Sequence, residues 1–269
     1  MKREAVAYLK DVHGAKDRRA CRVIVLNRST WMYPKKLKQD EEIAQKIQAI
    51  VDRFPRFGVR RVHALLSRQM KINFKKTRRI YRMMNLQLKK RIKVKKAKVI
   101  RIPRPVPTER LESWSMDFIF DRSTDHRRIK SFTVVDDFSK ECPGILVDRS
   151  IGGSYVTRFL DQLLELPKVI RCDNGPEFTS NAFLQWAQTK NIEIDFIDPG
   201  KPTQNAFIET FNGKFRDECL NQHLFINLDE AKQRIEAWRK EYNEIRPHSS
   251  LNYQTPKEFV QNEQNKLCA

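Results

Sequence analysis

The sequence of 269 residues lacks paired cysteines. Its cysteines are odd in number and never form a CxxC pair: Cys21, Cys142, Cys172, Cys219 and Cys268. This argues against a disulfide framework, and the scattered histidines offer no zinc-binding cluster. No run of about eighteen apolar residues occurs, so no segment is apolar enough to span a bilayer. The N-terminus has no apolar core of the length that a signal peptide needs. We therefore expect a cytoplasmic protein.

Acidic residues are scarce in the first 110 residues. This part holds 33 of the 53 Lys and Arg residues but only 8 of the 33 Asp and Glu residues, and the chain has a formal net charge of +20. Such an excess favours a polyanionic partner, because each phosphate that a basic side chain neutralises releases condensed counterions. A membrane surface is the alternative. The remaining residues carry a small acidic excess, and this asymmetry is the main sign of a domain boundary.

Helical patterns dominate the basic part. Helices are predicted at residues 2–10, 16–25, 40–53, 59–70 and 75–84. Residues 1–35, with a turn at Gly14, could form either a helix-turn-helix or a plain helical hairpin. The last three helices suit a helix-turn-helix-like DNA-binding domain over residues 36–88, whose basic last helix would enter the major groove. A small basic bundle with a solvated face is the alternative.

The periodicity changes after residues 89–110, which form a basic linker with three prolines. Apolar residues then alternate with polar ones from Trp114 to Phe120, which predicts a strand. Further strands are predicted at 131–137, 145–148, 169–172 and 192–197, and helices at 154–165, 180–190, 204–221 and 229–243. This order indicates an α/β fold with a mixed sheet and flanking helices. We divide it into a core, residues 111–222, and a helical C-terminal extension, residues 223–269.

Three carboxylates stand out in the α/β part. Asp117 lies within the first predicted strand, Asp173 directly follows the fourth, and Glu209 lies on a helix. Ligands of open α/β sheets bind near the carboxyl ends of strands, where Asp173 falls. Phosphodiester cleavage needs an activated nucleophile and a stabilised leaving oxygen, and two metal ions about 3.5–4 Å apart can provide both. Magnesium prefers oxygen ligands. The three acids are therefore a candidate catalytic and metal-binding site for two Mg²⁺ ions, with Mn²⁺ as a substitute.

The spacing of these acids carries a resemblance to a known family. Thirty-five residues separate Asp173 from Glu209, and Arg216 follows seven positions after Glu209. With Asp117 upstream, this resembles the DDE core of retroviral integrases and many transposases. Short segments resemble one group more closely, the second-frame product (OrfB) of IS3-family insertion sequences. They include Phe57-Gly58-Val59-Arg60-Arg61, Trp114-Ser115-Met116-Asp117-Phe118, Val134-Val135-Asp136-Asp137-Phe138-Ser139, Asp173-Asn174-Gly175-Pro176-Glu177-Phe178 and Arg246-Pro247-His248-Ser249-Ser250-Leu251.

The resemblance implies a ribonuclease H-like catalytic fold preceded by helix-turn-helix elements. It implies a DDE transposase that cuts and joins DNA at the terminal inverted repeats of an insertion sequence. The implied partners are double-stranded DNA of the repeats and target, further copies of this chain assembled on that DNA, and an upstream-frame (OrfA) product. The place of action is then the cytoplasm, at the nucleoid. The sequence departs from the family at His126, where Gly is frequent, and at Thr210, where Ser is more usual.

Basic and polar residues complete the expected site. The candidates for DNA contact are Arg60, Arg61, Lys75, Lys76, Arg78, Arg79, Lys201 and Arg216. Arg216 could instead pair with Asp217 or Glu209. Asn174 and Asn212 are expected beside the carboxylates.

Other polar residues have a simpler interpretation. Asp136 and Asp137 end a strand, which favours a turn or capping role over metal ligation. Glu177 is expected to begin a helix near Asp173. His248 is expected to be structural or to contact DNA.

Two other functions are consistent with this sequence. One is a ribonuclease H-like nuclease that cuts without strand transfer, and the other is a non-catalytic DNA-binding remnant. The basic N-terminal helices and the 35-residue spacing favour the transposase over the nuclease. The intact set of three acids argues against the remnant.

Overall fold

The computed structural model describes residues 2–33, 40–89, 107–198 and 205–267. Most of the predicted linker and Lys201 lie outside the described residues. The chain divides into two compact units, Met1–Ile43 and Ala44–Ala269. No helix of the described part is long and apolar enough to cross a membrane.

The first unit contains three helices, α1 (Lys2–His13), α2 (Asp17–Val23) and α3 (Arg28–Met32). Gly14 follows α1 in the left-handed region, with φ of 60°, which glycine adopts at little cost. Val6 of α1 packs against Ala20 and Cys21 of α2. The indole of Trp31 donates a hydrogen bond of 3.1 Å to Asp17 and so ties α3 to α2. The two predicted helices are confirmed, with a third short helix after them.

The second unit begins within the first of the remaining predicted basic helices. They are α4 (Glu41–Arg53), α5 (Val59–Gln69) and α6 (Phe74–Met83). Each turns an apolar face inward, and Ile47, Leu66 and Ile80 are fully buried. The Tyr81 hydroxyl donates to the carbonyl of Phe57, 3.3 Å away, and joins α6 to the turn before α5. The three helices confirm the prediction within one or two residues at each end.

A five-stranded mixed sheet forms the centre of the second unit. Its strands are β1 (Ser113–Arg122), β2 (Arg128–Asp136), β3 (Ile145–Asp148), β4 (Val169–Cys172) and β5 (Glu193–Phe196). They lie in the order β3-β2-β1-β4-β5. The strand β2 is antiparallel to both β1 and β3, whereas β4 is parallel to β1 and β5 is parallel to β4. The predicted α/β class and mixed sheet are confirmed.

Helices cover both faces of this sheet. They are α7 (Gly153–Leu160), α8 (Asn181–Thr189), α9 (Ala206–Glu218) and α10 (Leu228–Glu244), and the last helix, α11 (Pro256–Leu267), contacts α10. Trp114 and Met116 of β1 pack in one apolar cluster with α7 and α8, and Ile119 packs in another with α9 and α10. The polar side of β1 is therefore also covered, and Ser115 is fully buried.

One predicted helix is clearly shorter than expected, and one helix was not predicted. The helix predicted at 154–165 ends at Leu160, because the chain continues in tight turns in which Leu163 donates to the carbonyl of Leu160. The helix α11 was not predicted as a separate element.

Candidate active site

Asp117 lies in β1, and Asp173 directly follows β4, the parallel neighbour of β1. The last paired positions of β1 and β4 are Ser115 and Arg171, and each acid follows two residues later. Side chains two residues apart in an extended chain point to the same face. The pairing therefore directs both carboxylates to the face of the sheet that α9 covers, near the carboxyl end of β4.

The helix α9 fixes Asp117 through a side-chain amide. Asn212 donates from Nδ2 to Oδ2 of Asp117 over 2.9 Å, and the amide N–H of Phe118 donates to Oδ1 over 2.7 Å. The hydroxyl of Thr133, the β2 partner of Asp117, lies 2.9 Å from Oδ1 of Asn212. Thr133 therefore orients the amide that orients Asp117. Its role depends on strand register, so no local sequence signal reveals it.

Glu209 is exposed on the first turns of α9. The pKa of the Asp117 carboxyl is raised to about 6, chiefly by burial and in smaller part by the negative charges of Asp173 and Glu209. The hydrogen bonds from Phe118 and Asn212 oppose this increase because they favour the ionised form. Asp173 and Glu209 therefore both act electrostatically on Asp117.

The donor chemistry of these three acids fits a hard divalent cation, because all their ligand atoms are carboxylate oxygens. Across the described residues, no three His, Cys, Asp or Glu side chains are gathered closely enough to hold a metal ion. Like charges repel at close range, and both oxygens of Asp117 accept hydrogen bonds. The donor types thus fit a metal ion, while the side chains are held apart.

The loop after β4 is tightly built around Asp173. Gly175 donates its backbone N–H to Oδ1 of Asp173 over 3.0 Å. A Cβ atom at position 175 would lie only 3.0 Å from that oxygen and 3.2 Å from Oε2 of Glu177. A larger residue would therefore push the two carboxylates from their positions. The neighbouring Asn174 does not reach the acids but donates to the carbonyl of Ile197, 2.9 Å away.

A buried lysine that was not among the predicted site residues forms an ion pair with this loop. Lys130 of β2 pairs with Glu177 and donates to the carbonyl of Ile151 over 2.9 Å. Its ammonium group lies 4.1 Å from the ring centre of Phe118, the residue after Asp117. Glu177 is thus neutralised beside Asp173.

Comparison with known proteins identifies the family. Residues 107–202 and 190–256 match the integrase core domain, and residues 38–94 match an HTH-like domain. A 31.7 kDa protein of insertion element IS407 from Burkholderia multivorans is 46% identical over 249 residues, which cover 91% of this chain and 90% of that protein. This chain belongs to the IS3 family of insertion-sequence transposases.

More distant proteins agree with this assignment. The Escherichia coli transposase InsD for insertion element IS2 is 25% identical over 257 residues, covering 88% of this chain and 85% of InsD. The intasome of simian T-cell lymphotropic virus, in complex with a PP2A regulatory subunit, aligns with a TM-score of 0.51. That alignment covers 80% of this chain and 73% of the viral chain at 14% identity, and shows a shared ribonuclease H-like fold. The IS3 family is one of polynucleotidyl transferases, whose integrase-type domains generally use divalent metal ions.

The predicted DNA-contact residues of this transposase lie on different surfaces. Thr77, Ile80 and Tyr81 form the buried side of α6. On the opposite side Lys75, Arg78 and Arg82 are exposed at helical spacing. Lys76 and Arg79 are half-buried at the edge of this stripe, and Arg60 is exposed on α5. Arg82, which was not among the predicted DNA-contact residues, therefore extends the candidate DNA-binding surface.

Other arginines in and near α5 form ion pairs with acidic residues of α9. Arg61 pairs with Glu218 over 3.3 Å, and burial lowers its pKa. Arg56 pairs with Asp217 over 2.6 Å. Arg216, predicted to contact DNA, donates to the carbonyl of Phe120 over 3.1 Å and remains exposed. Arg61 is thus occupied within the chain, whereas Arg216 presents its charge about two turns further along α9 than Glu209.

The remaining polar residues have structural contacts. Asp136 accepts hydrogen bonds from the backbone N–H groups of Phe138 and Ser139, which confirms its predicted capping role in a turn. His248 is buried edge-on against Tyr242, with ring centres 4.7 Å apart. Burial lowers the pKa of His248 to about 2, so the ring is neutral and serves packing.

Proposed function

We propose that this transposase cleaves and joins DNA strands at the terminal inverted repeats of its insertion sequence, with Asp117, Asp173 and Glu209 as the catalytic, metal-binding carboxylates. One observation carries the proposal. Asp117 and Asp173 follow the same rung of adjacent parallel strands, and the helix that bears Glu209 also holds Asp117 through Asn212. Asp173 and Glu209, from distant parts of the chain, thereby both act on the charge of Asp117.

The residues around the acids have separate tasks in this proposal. Bound Mg²⁺, or Mn²⁺ in its place, with two ions expected, would supply Lewis-acid stabilisation of the charge that develops on the phosphate. Asn212 and the amide of Phe118 hold the Asp117 carboxylate in one orientation. Arg216 is exposed about two turns further along α9 than Glu209. In this proposal it contacts the DNA backbone. Copies of the chain assemble on the DNA, in the cytoplasm at the nucleoid.

A strand-transfer assay tests this function. The purified chain is mixed with a duplex of the terminal repeat that carries a free 3′-hydroxyl, together with a target plasmid. Joined products are expected with Mg²⁺ or Mn²⁺ and none with Ca²⁺ alone, because Ca²⁺ takes larger and less regular coordination. Hydrolysis without joining would favour the nuclease. The same result is required when any upstream-frame product of the element is added. Full turnover without divalent metal would contradict the carboxylate site.

The exposed stripe on α6 gives a prediction about DNA binding. Replacing Arg78 and Arg82 by alanine should weaken terminal-repeat binding at least about tenfold at moderate salt and lower the slope of log K against log salt by about 2, because two phosphate contacts are lost. The measurement is a salt titration of fluorescence anisotropy. The matched control replaces two exposed lysines of α10, Lys232 and Lys240, which lie beside acidic residues. If the α6 variant and the α10 control change the salt slope equally, α6 does not contact the DNA.

A further inference from the structure

One turn of the chain contacts all three elements that bear the acids. This turn, Asp137–Lys140, directly follows β2. It adjoins β1 directly, because the backbone N–H of Asp137 donates to the carbonyl of Ser113 over 3.0 Å. The Asp137 side chain is completely buried. A buried carboxylate requires full hydrogen bonding, and its partners lie on the strands of the candidate site.

The first partners of Asp137 lie on β1. The hydroxyl of Ser115 donates to Oδ1 over 2.6 Å, and that of Ser113 donates to Oδ2 over 2.9 Å. Ser113, Ser115 and Asp117 alternate along one face of the strand. Asp137 therefore holds β1 at the position immediately before Asp117 on that face.

The next partner lies on β4. Arg171 donates from Nη1 to Oδ2 of Asp137 over 3.2 Å and from Nε to Asp195 of β5 over 2.9 Å. Arg171 is buried and lies two residues before Asp173, again on the same face. Its planar guanidinium spans two carboxylates, a geometry that lysine cannot reproduce. The chain Asp137–Arg171–Asp195 thus joins the turn to both parallel strands.

The third contact is with α9. Lys140 donates to the backbone carbonyl of Asp137, and its ammonium group lies 3.6 Å from the ring centre of Phe207. Phe207 lies in the first turn of α9, two residues before Glu209. A desolvated ammonium over an aromatic face is held by the ring quadrupole. The same turn therefore anchors the start of the helix that carries the third acid.

We propose that Asp137 and Arg171, with Lys140, are positioning residues that set the relative placement of Asp117, Asp173 and Glu209 for metal binding. This inference rests on the proposed carboxylate site. Polar partners behind metal ligands commonly change metal affinity or activity by about 10–100-fold when they are lost. The turn contacts β1, β4 and α9, the three elements that position the proposed metal ligands.

The test measures Mn²⁺ binding by calorimetry on the full chain without DNA, alongside the Mn²⁺ dependence of strand transfer. Arg171→Lys and Asp137→Asn should each raise the Mn²⁺ midpoint at least about tenfold, with DNA affinity unchanged. Ser115→Ala is a milder variant that removes one hydrogen bond and should raise the midpoint about two- to threefold. Arg246→Lys is the matched control, because Arg246 forms a similarly buried pair with Glu218. It should lower the melting temperature and leave the midpoint unchanged.

The outcomes separate this inference from the proposed function. Equal midpoints for Arg171→Lys, Ser115→Ala and the wild type would overturn the positioning role while leaving the carboxylate site intact. A wild type that binds Mn²⁺ but does not join DNA would reject strand transfer, and the shifted midpoints of the variants would still support positioning. A wild type that binds no Mn²⁺, with or without DNA, would overturn both.

Discussion

Replacing Glu209 by glutamine should reduce DNA cleavage and strand transfer at least about a thousandfold, which corresponds to roughly 4 kcal/mol of lost transition-state stabilisation. Glutamine keeps the size of the side chain but removes its negative charge, and a neutral amide is a weaker ligand for Mg²⁺ than a carboxylate. DNA affinity should change by less than about twofold, since the basic residues that bind phosphates dominate such affinity.

The folded state should tolerate this substitution. Glu209 is exposed, and its charge raises the pKa of Asp117, so neutralising it relieves repulsion. The melting temperature of Glu209→Gln should therefore equal or slightly exceed that of the wild type, as checked by calorimetry without metal. Glu244→Gln is the control, because Glu244 is an exposed glutamate of α10 that pairs with the exposed Lys257. Cleavage retained by Glu209→Gln, or lost equally in the control, would remove Glu209 from the site.

Local sequence patterns predict the placement of individual acids but not the contacts between them. Alternation places Asp117 in a strand, and the end of an apolar run places Asp173 at a strand terminus. The i, i+3 spacing from Glu209 predicts Asn212 near the site, but its contact with Asp117 depends on how α9 packs. Thr133 lies opposite Asp117 because of the register between β1 and β2. The alternation of apolar and polar residues in either strand does not define that register.

Some missed features did have a sequence signal. Thr255 and Glu258 form a reciprocal capping box at the start of α11, with Pro256 at the first helical position. That pattern is visible in the sequence and predicts a helix start. Charge alone could not separate Arg61, which binds Glu218, from Arg78, which is exposed on α6. The difference arises from tertiary docking of α5 against the catalytic part.

This docking depends on one buried carboxylate. Glu218 of α9 accepts two hydrogen bonds of 2.6 Å from Arg246 and one of 3.3 Å from Arg61. The Glu218 and Arg246 side chains are only 8% and 3% exposed. The pKa of neighbouring Lys214 is lowered to about 7, chiefly by burial and in smaller part by the positive charge of Arg246. A single anion therefore neutralises a group of positive charges between α5 and α9.

Replacing Glu218 by glutamine should lower the free energy of unfolding by about 3–5 kcal/mol, because it leaves buried arginines without a counter-charge. For a chain of this size the melting temperature should fall by roughly 6–20 °C, at about 2–4 °C per kcal/mol. Scanning calorimetry measures the change, with Glu244→Gln as the exposed-pair control expected to lose less than about 1 kcal/mol.

A double-mutant cycle distinguishes a lost ion pair from lost packing. Arg246→Met should also destabilise the chain, because it leaves Glu218 with the more distant Arg61. Combining it with Glu218→Gln removes charges of both signs, so the double variant should be more stable than the sum of the single losses by at least about 1 kcal/mol. Strict additivity would show that the two side chains contribute packing alone. The α5 docking would then rest on the outer pairs, Arg56–Asp217 and Arg68–Glu258.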